Sequence, residues 1–170
     1  VIIGPLFAQS VTAVKPVARA SDVPVIALST DRSVGGDGAF LLSFQAENEV
    51  DRIVSYAART GYTSFTALVP RTAYGNIVST AFRSSVERAG GRVAGIETFD
   101  QNPQTVAGPA QAAADSGADA ILIGEGGAML QAIAPQLGNP NGRRMKLLGT
   151  GLWDDASITR EPSLTNGWFA

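Results

Sequence analysis

The chain has 170 residues, of which 45% are hydrophobic and 16% charged, and its formal net charge is -2. This composition is typical of a folded protein with a sizeable core. It excludes a disordered chain and gives no reason to expect nucleic acid as a partner. Because the sequence contains no cysteine and no histidine, thiolate zinc sites, cysteine nucleophiles and Ser-His-Asp triads are excluded from this chain. Its longest apolar runs are far shorter than the roughly 20 residues that cross a bilayer.

The first part of the chain predicts short strands around one helix. In chain order, we expect a strand over Val1–Gly4, a helix from Val11 to about Ala20, a strand over Val25–Leu28, a polar loop from Ser29 to Gly38 and an extended segment over Phe40–Phe44. Ser10 precedes the helix and is expected to cap it, whereas Pro16 is expected to bend or shorten it.

The rest of the chain alternates regularly between helices and strands. The predicted helices run from about Glu47 to Thr60, Asn76 to Ala89, Thr105 to Ser116 and Ala128 to Leu137, and the strands over Phe65–Val69, Arg92–Phe99, Ala120–Ile123 and Lys146–Gly149. A turn is predicted from Asn139 to Gly142, and another strand begins near Gly167. Repeated strand–helix units of this length predict an α/β fold of three layers, with a parallel sheet and helices on both faces.

Polar side chains follow several of the predicted strands. In open α/β sheets, ligands bind outside the carboxyl ends of the strands, so the loops at these ends are the candidate site. Hydroxyls, an amide, aromatic rings and a few charges suit recognition of a small polar molecule. The candidate ligand contacts are Gln9, Ser10, Ser29, Thr30, Tyr74, Glu125 and Trp153.

Several of these residues also have a purely structural explanation. Ser10 is favoured as a helix cap, and Ser29 and Thr30 could be ordinary turn residues. The Tyr74 ring could pack on the sheet edge while its hydroxyl stays in water. Glu125 is the least explained by structure, because a short buried strand rarely ends in an acid without a partner or open water.

No catalytic, metal or cofactor site is predicted. The adjacent Asp154 and Asp155 are typical of capping charges at the start of a helical turn. Gly124-Glu-Gly-Gly lacks the G-x-G-x-x-G spacing of a dinucleotide loop. No nucleophile with a base is apparent, so the sequence favours binding over catalysis. An enzyme that uses Glu125 or Asp154 is the least favoured alternative.

The order of motifs resembles the type I periplasmic binding fold over essentially the whole chain. The similarity is carried by Val1-Ile-Ile-Gly-Pro, Val23-Pro-Val-Ile-Ala-Leu-Ser-Thr, Phe40-Leu-Leu-Ser-Phe and the later Tyr74-Gly. It implies a non-enzymatic relative of the branched-chain amino-acid and leucine-binding proteins of ABC transporters. Such a protein would be periplasmic or extracytoplasmic, would bind an amino acid or small carboxylate between two lobes that close at a hinge, and would work with a membrane permease.

The resemblance also implies a layout and roles for the candidate residues. Residues 1–44 would be the end of lobe one, residues 45–155 lobe two, and residues 156–170 a return towards the hinge, so the chain would be an internal segment of a longer protein. The contacts near Ser10 and Ser29 would hold a carboxylate, and Tyr74 would cover the ligand from lobe two beside Glu125. Gly151 stands where the family has an acid for the ligand's amino group, so Glu125 or Asp154 would have to replace that acid.

A second branch of this fold is also similar to the chain. Leu147-Leu-Gly-Thr-Gly-Leu-Trp-Asp-Asp, with Phe44-Gln-Ala-Glu-Asn-Glu and Gly167-Trp-Phe-Ala, resembles lipoproteins that activate penicillin-binding proteins, the peptidoglycan synthases of the cell wall. This alternative implies a protein-contact module, with a synthase as partner and a lipid anchor on the full-length protein.

Overall fold

A computed structural model describes residues 1–137, 145–158 and 160–170. The chain divides into two compact units, Val1–Gln45 and Ala46–Ala170. The turn predicted from Asn139 to Gly142 lies outside the described residues. Within the described ranges, no helix has both the length and the apolar character needed to span a bilayer.

The first unit is a small parallel sheet covered by one helix. Its elements are β1 (Ile2–Ile3), α1 (Ala8–Ala20), β2 (Val25–Ala27) and β3 (Ala39–Leu41). The strands lie in the order β1-β2-β3, and both pairs are parallel. Val11 and Ala18 of α1 are buried with Val25 of β2 in the core. Ile3 of β1 and Phe40 of β3 both pair with Ile26 of β2. Their side chains are 75% and 64% exposed.

The start of α1 differs from the prediction. The helix begins at Ala8, and Phe7 is its N-cap residue without a side-chain cap, so the prediction that Ser10 caps it is wrong. The backbone N–H of Val11 donates to the carbonyl of Phe7 at 3.0 Å, which closes the first turn before Ser10 could cap it. Pro16 lies inside α1 without shortening it, because proline removes one helical hydrogen bond while burial of Ala18 holds the next turn in place.

The second unit is a five-stranded, fully parallel sheet with helices on both faces, which confirms the predicted α/β class. Its elements are α2 (Ala46–Arg59), β4 (Ser64–Pro70), α3 (Ala73–Arg88), β5 (Arg92–Phe99), α4 (Ala107–Ala114), β6 (Ala120–Ile123), α5 (Gly127–Ile133), β7 (Lys146–Gly149) and β8 (Trp168–Phe169). The strand order is β5-β4-β6-β7-β8.

The central strand β4 shows how the layers form. All seven of its residues are buried, as expected for a strand covered on both faces. Alternate side chains point to opposite faces. Phe65 and Val69 therefore pack in one core with α2 and α3, whereas Leu68 packs in the other with α4 and α5.

The two largest differences between predicted and observed helix boundaries in the second unit are at the start of α3 and the end of α5, while α4 is two residues shorter at each end than predicted. The helix predicted from Asn76 begins at Ala73, because the Thr72 hydroxyl accepts a hydrogen bond from the Gly75 N–H at 3.2 Å and caps it. The helix predicted to run to Leu137 ends at Ile133 and continues as a 3₁₀ turn. Pro135 lies in that turn and has no N–H to continue an α-helical ladder.

Candidate functional site

The strand order of the second unit defines where a ligand can approach its sheet. From β4 the chain passes through α3 to β5 on one side, and from β6 it passes through α5 to β7 on the other. Because these connections diverge, a crevice is expected outside the carboxyl ends of β4 and β6. Thr150 directly follows β7, Glu125 lies two residues after β6, and Tyr74 lies four residues after β4, at the start of α3. All three therefore belong to this one edge, which we call the carboxyl edge.

Tyr74 lies in the first turn of α3 rather than in the loop that the sequence predicted. Its ring packs against the core formed with α2 and α3, and its hydroxyl lies 3.1 Å from the hydroxyl of the fully buried Thr150. Burial raises the pKa of the Tyr74 hydroxyl above its ordinary value, and the nearby carboxylates of Glu49 and Glu125 raise it further. The hydroxyl is therefore neutral at pH 7 and acts as a hydrogen-bonding group.

Glu125 is explained by contacts that the sequence did not reveal. One carboxylate oxygen accepts a hydrogen bond from the backbone N–H of Gly126 at 3.0 Å, and the other accepts one from Gln101 Nε2 at 3.1 Å. Its backbone carbonyl accepts a third hydrogen bond, from Trp153 Nε1 at 3.0 Å. Both the side chain and the loop that carries it are therefore held in place at the carboxyl edge.

Trp153 is a buried support for this edge. It closes a short 3₁₀ turn over Gly151–Trp153, and it is 2% exposed. Its ring lies directly over Gly149, where a Cβ atom would be 2.2 Å from the indole. The structure thus places Trp153 beneath Glu125, within the core formed with α4 and α5.

Glu49 is a member of this edge that the sequence did not single out. It lies in the first turn of α2, and its Oε2 accepts a hydrogen bond from the backbone N–H of Gly151 at 3.2 Å. An acid in the first turn of a helix is common, because it interacts favourably with the helix dipole. The sequence position of Glu49 therefore did not indicate a functional role. Gly151 was the one indication in the sequence that an acid from another element could lie here, since the resemblance implies an acid at position 151.

The adjacent aspartates do not form an acid pair. Asp155 accepts hydrogen bonds from the backbone N–H of Ser157 at 2.7 Å and from its hydroxyl. These bonds lower the pKa of the Asp155 carboxyl. Asp155 therefore acts as a turn cap, as the sequence indicated, while Asp154 lies exposed beside it.

The remaining candidates lie in the first unit. Ser29 is 3% exposed, and its hydroxyl accepts a hydrogen bond from the Asp31 N–H at 3.2 Å, as in a turn. Its carbonyl accepts a hydrogen bond from the Ser43 hydroxyl at 2.7 Å. Gln9 and Ser10 are exposed in α1, and Thr30 is exposed after β2. Their contact with a ligand stays a prediction.

The two units, each with a parallel sheet, place the chain in the class of open α/β proteins that bind ligands at the carboxyl edge of their strands. The chain belongs to the periplasmic binding protein family, whose family model matches residues 1–169. The resemblance seen in the sequence is thereby confirmed. A protein of Rickettsia prowazekii named as uncharacterized is also similar, with 22% identity over 62% of this chain and 28% of that protein.

Three similar solved structures are a putative ABC transporter protein, a leucine-binding protein and a solute-binding protein of an ABC transporter. A putative branched-chain amino acid ABC transporter protein from Rhodospirillum rubrum has a TM-score of 0.82 at 15% identity, covering 95% of this chain and 48% of that one. A leucine-binding protein from Thermotoga maritima has a TM-score of 0.69 at 19% identity, covering 96% and 48%. A solute-binding protein from R. palustris in complex with 4-hydroxybenzoate has a TM-score of 0.68 at 22% identity, covering 94% and 46%.

These similarities establish the type I periplasmic binding fold. The chain spans less than half the length of each of these solved relatives and 28% of the curated one. The ligand and the partner of the whole protein are therefore matters for proposal.

Proposed function

We propose that the protein is an extracytoplasmic solute-binding protein that presents an amino acid or small carboxylate to the permease of an ABC transporter. The observation that carries this proposal is the convergence of Tyr74, Thr150 and Glu125 at the carboxyl edge of the second unit. Family membership and relatives that bind leucine or 4-hydroxybenzoate support it. In this proposal, Tyr74 and Glu125 of the second unit contact the ligand. The buried Trp153 packs behind them and holds the Glu125 loop in position.

The chemistry of the edge favours binding over catalysis. A tyrosine with a raised pKa is a poor base and a poor nucleophile at neutral pH, but it is a good hydrogen-bond partner for a polar solute. Glu125 is held by Gln101 and Gly126, which fixes its direction. Groups fixed in this way bind a ligand with little loss of conformational entropy.

Tyr74 gives the sharpest test of this function. In the full-length protein, we expect calorimetry to detect binding of at least one compound among the twenty amino acids, their deaminated counterparts, benzoate and 4-hydroxybenzoate. We expect Tyr74→Phe to weaken that binding about three- to tenfold, the usual worth of one hydrogen bond. Tyr74→Ala should weaken it further, because the ring is lost as well.

Tyr62→Phe is the matched control. Tyr62 lies two residues before β4, at the opposite edge of the sheet, and its ring packs against Trp168 at a centroid distance of 5.8 Å. Its hydroxyl can therefore be removed without touching the carboxyl edge. Absence of binding to every compound, or equal binding by the wild type and both Tyr74 variants, would contradict the proposal.

The alternative of a synthase activator stays a prediction. A pull-down of the full-length protein with the periplasmic domains of peptidoglycan synthases tests it directly. Retention of a synthase by a protein that binds none of the small molecules would favour the alternative over the proposed function.

A further inference from the structure

We infer that β5 is a self-association strand, through which two copies of the protein join their second-unit sheets by antiparallel pairing across a two-fold axis. β5 lies at one end of the strand order, and its partner strand in the described parts of the chain is β4 alone. Its eight residues, Arg92–Phe99, include no proline, and Val93–Glu97 are partly exposed. An edge of this kind presents backbone N–H and C=O groups to a further strand. The inference uses none of the residues proposed to contact a solute, so it does not depend on the proposed function.

A β-bulge brings two opposite charges of β5 to one face of the sheet. The register with β4 shifts at Ala94, which is an extra residue in the strand. Residues five apart along a regular strand point to opposite faces. Because the extra residue lies between them, Arg92 and Glu97 instead point to the same face, on which they align with Ser64 and Leu68 of β4.

The same bulge brings two apolar side chains of β5 to the opposite face. Val93 and Ile96 are three residues apart, and both pack against the core formed with α2 and α3. Both remain partly exposed, since no further strand lies beside β5 among the described residues. Each face of the edge therefore carries one matched set: opposite charges on one face and apolar side chains on the other.

These sets make the strand complementary to a second copy of itself. In an antiparallel pairing centred on the bulge, Arg92 of one copy lies opposite Glu97 of the second copy, and Val93 lies opposite Ile96. The two-fold axis repeats each contact, which gives two ion pairs on one face and two apolar pairs on the other. Directly opposite pairs of both kinds stabilise a sheet, whereas like charges in those positions destabilise it.

Neither charge has an ion-pair partner within the monomer. The ion pairs of the described residues join other side chains, and none includes Arg92 or Glu97. The two residues lie roughly 13 Å apart along their own strand. Arg92 Nη2 donates to Ser64 Oγ at 2.6 Å, which holds the guanidinium beside the sheet and leaves its other N–H groups for a carboxylate. A second copy supplies that carboxylate at the matching position.

The bulge also supports a competing prediction, because bulges commonly keep edge strands from pairing. In that case, the full-length protein stays monomeric at every concentration. If β5 pairs with its copy, sedimentation equilibrium of the full-length protein should show a reversible monomer–dimer equilibrium. A pair of short strands buries less area than a standard interface, so we expect a dissociation constant of about 10–100 μM.

Charge reversal tests which side chains face each other. Glu97→Arg places arginine opposite Arg92 at both ends of the pairing, and it should raise the dimer dissociation constant at least about tenfold. Arg92→Glu should do the same, and the double variant should restore the wild-type constant to within about threefold. A general loss of stability would not be reversed in this way. Glu47→Arg is the matched control, because it makes the same charge change on α2, which packs against α3 and β7.

Single cysteines test the register, since this chain contains none. In the full-length protein without any other cysteine, Ala94→Cys lies beside the two-fold axis, so mild oxidation should link two copies by a disulfide. Thr98→Cys is the control on the same strand, because its two copies would lie roughly 20 Å apart. A monomer at every concentration, a dimer that Glu97→Arg leaves intact, a double variant that stays monomeric, or equal cross-linking by the two cysteine variants would overturn the inference.

Discussion

Gly75→Ala is expected to lower the free energy of unfolding of the second unit by at least about 3 kcal/mol. A Cβ atom at Gly75 would lie 1.8 Å from the carbonyl oxygen of Pro70 and 2.9 Å from its carbonyl carbon. Both atoms belong to the backbone, at the point where β4 ends and the chain turns into α3. The turn would have to open, and Tyr74 would move with it.

The direction of the change in unfolding free energy distinguishes a steric clash from helix propensity. Helix propensity alone predicts that alanine stabilises a helix by roughly 0.5–1 kcal/mol relative to glycine. Gly108 in α4 is the matched control. Apart from its chain neighbours and its own helix backbone, no atom of the residues that the structure describes lies within 4 Å of a Cβ placed there, so Gly108→Ala should be stabilising. Urea unfolding followed by circular dichroism measures both variants. A Gly75→Ala protein as stable as the wild type would show that the close approach to Pro70 does not exist.

Local sequence patterns predicted most of the fold. The strands β5, β6 and β7 have the bounds that the sequence predicted. They are apolar or alternating runs bounded by glycines or polar residues, and these signals are local. Gly90 and Gly117 each end a helical segment with a positive φ of 70°, which is the ordinary reason for glycine at that position.

The errors arose at helix starts, where more than one nearby residue could close or cap the first turn. Ser10 satisfies the sequence rule for a cap, but α1 starts earlier, with the Phe7 carbonyl accepting the first helical bond. Thr72 caps α3. The residues Tyr74-Gly75 that follow it indicated a loop, so the sequence predicted a later helix start at Asn76. Nothing local distinguishes a glycine that ends a helix from one that lets two backbone segments touch.

The site was predicted in outline but not in its connections. Tyr74 and Glu125 were singled out because they follow strands, and the strand order brings them to one edge. Glu49 was missed, since its link to Gly151 spans 102 positions and α2 alone explains an acid in its first turn. Trp153 was predicted as a ligand contact on its residue type and loop position, whereas its burial depends on how the 3₁₀ turn folds back over Gly149.

Trp153→Ala is expected to lower the free energy of unfolding by about 3–5 kcal/mol, the usual range for truncating a buried tryptophan. The ring is 2% exposed, and it fills the space between Gly149, Gly167 and the loop of Glu125. Leu152→Ala is the control. Leu152 is the neighbouring residue and is 46% exposed, so its truncation should cost less than about 1 kcal/mol.

Trp153→Phe separates the packing of the ring from its hydrogen bond. Phenylalanine keeps most of the apolar volume but cannot donate to the Glu125 carbonyl, which should cost about 1–2 kcal/mol. Urea unfolding gives the three free energies, and calorimetry with the tightest amino acid probe gives the effect on binding. Because the lost bond anchors the Glu125 loop, Trp153→Phe should weaken binding although the Trp153 ring is only 2% exposed. A variant that loses stability but binds as the wild type does would show that the Glu125 loop is held in position without the indole.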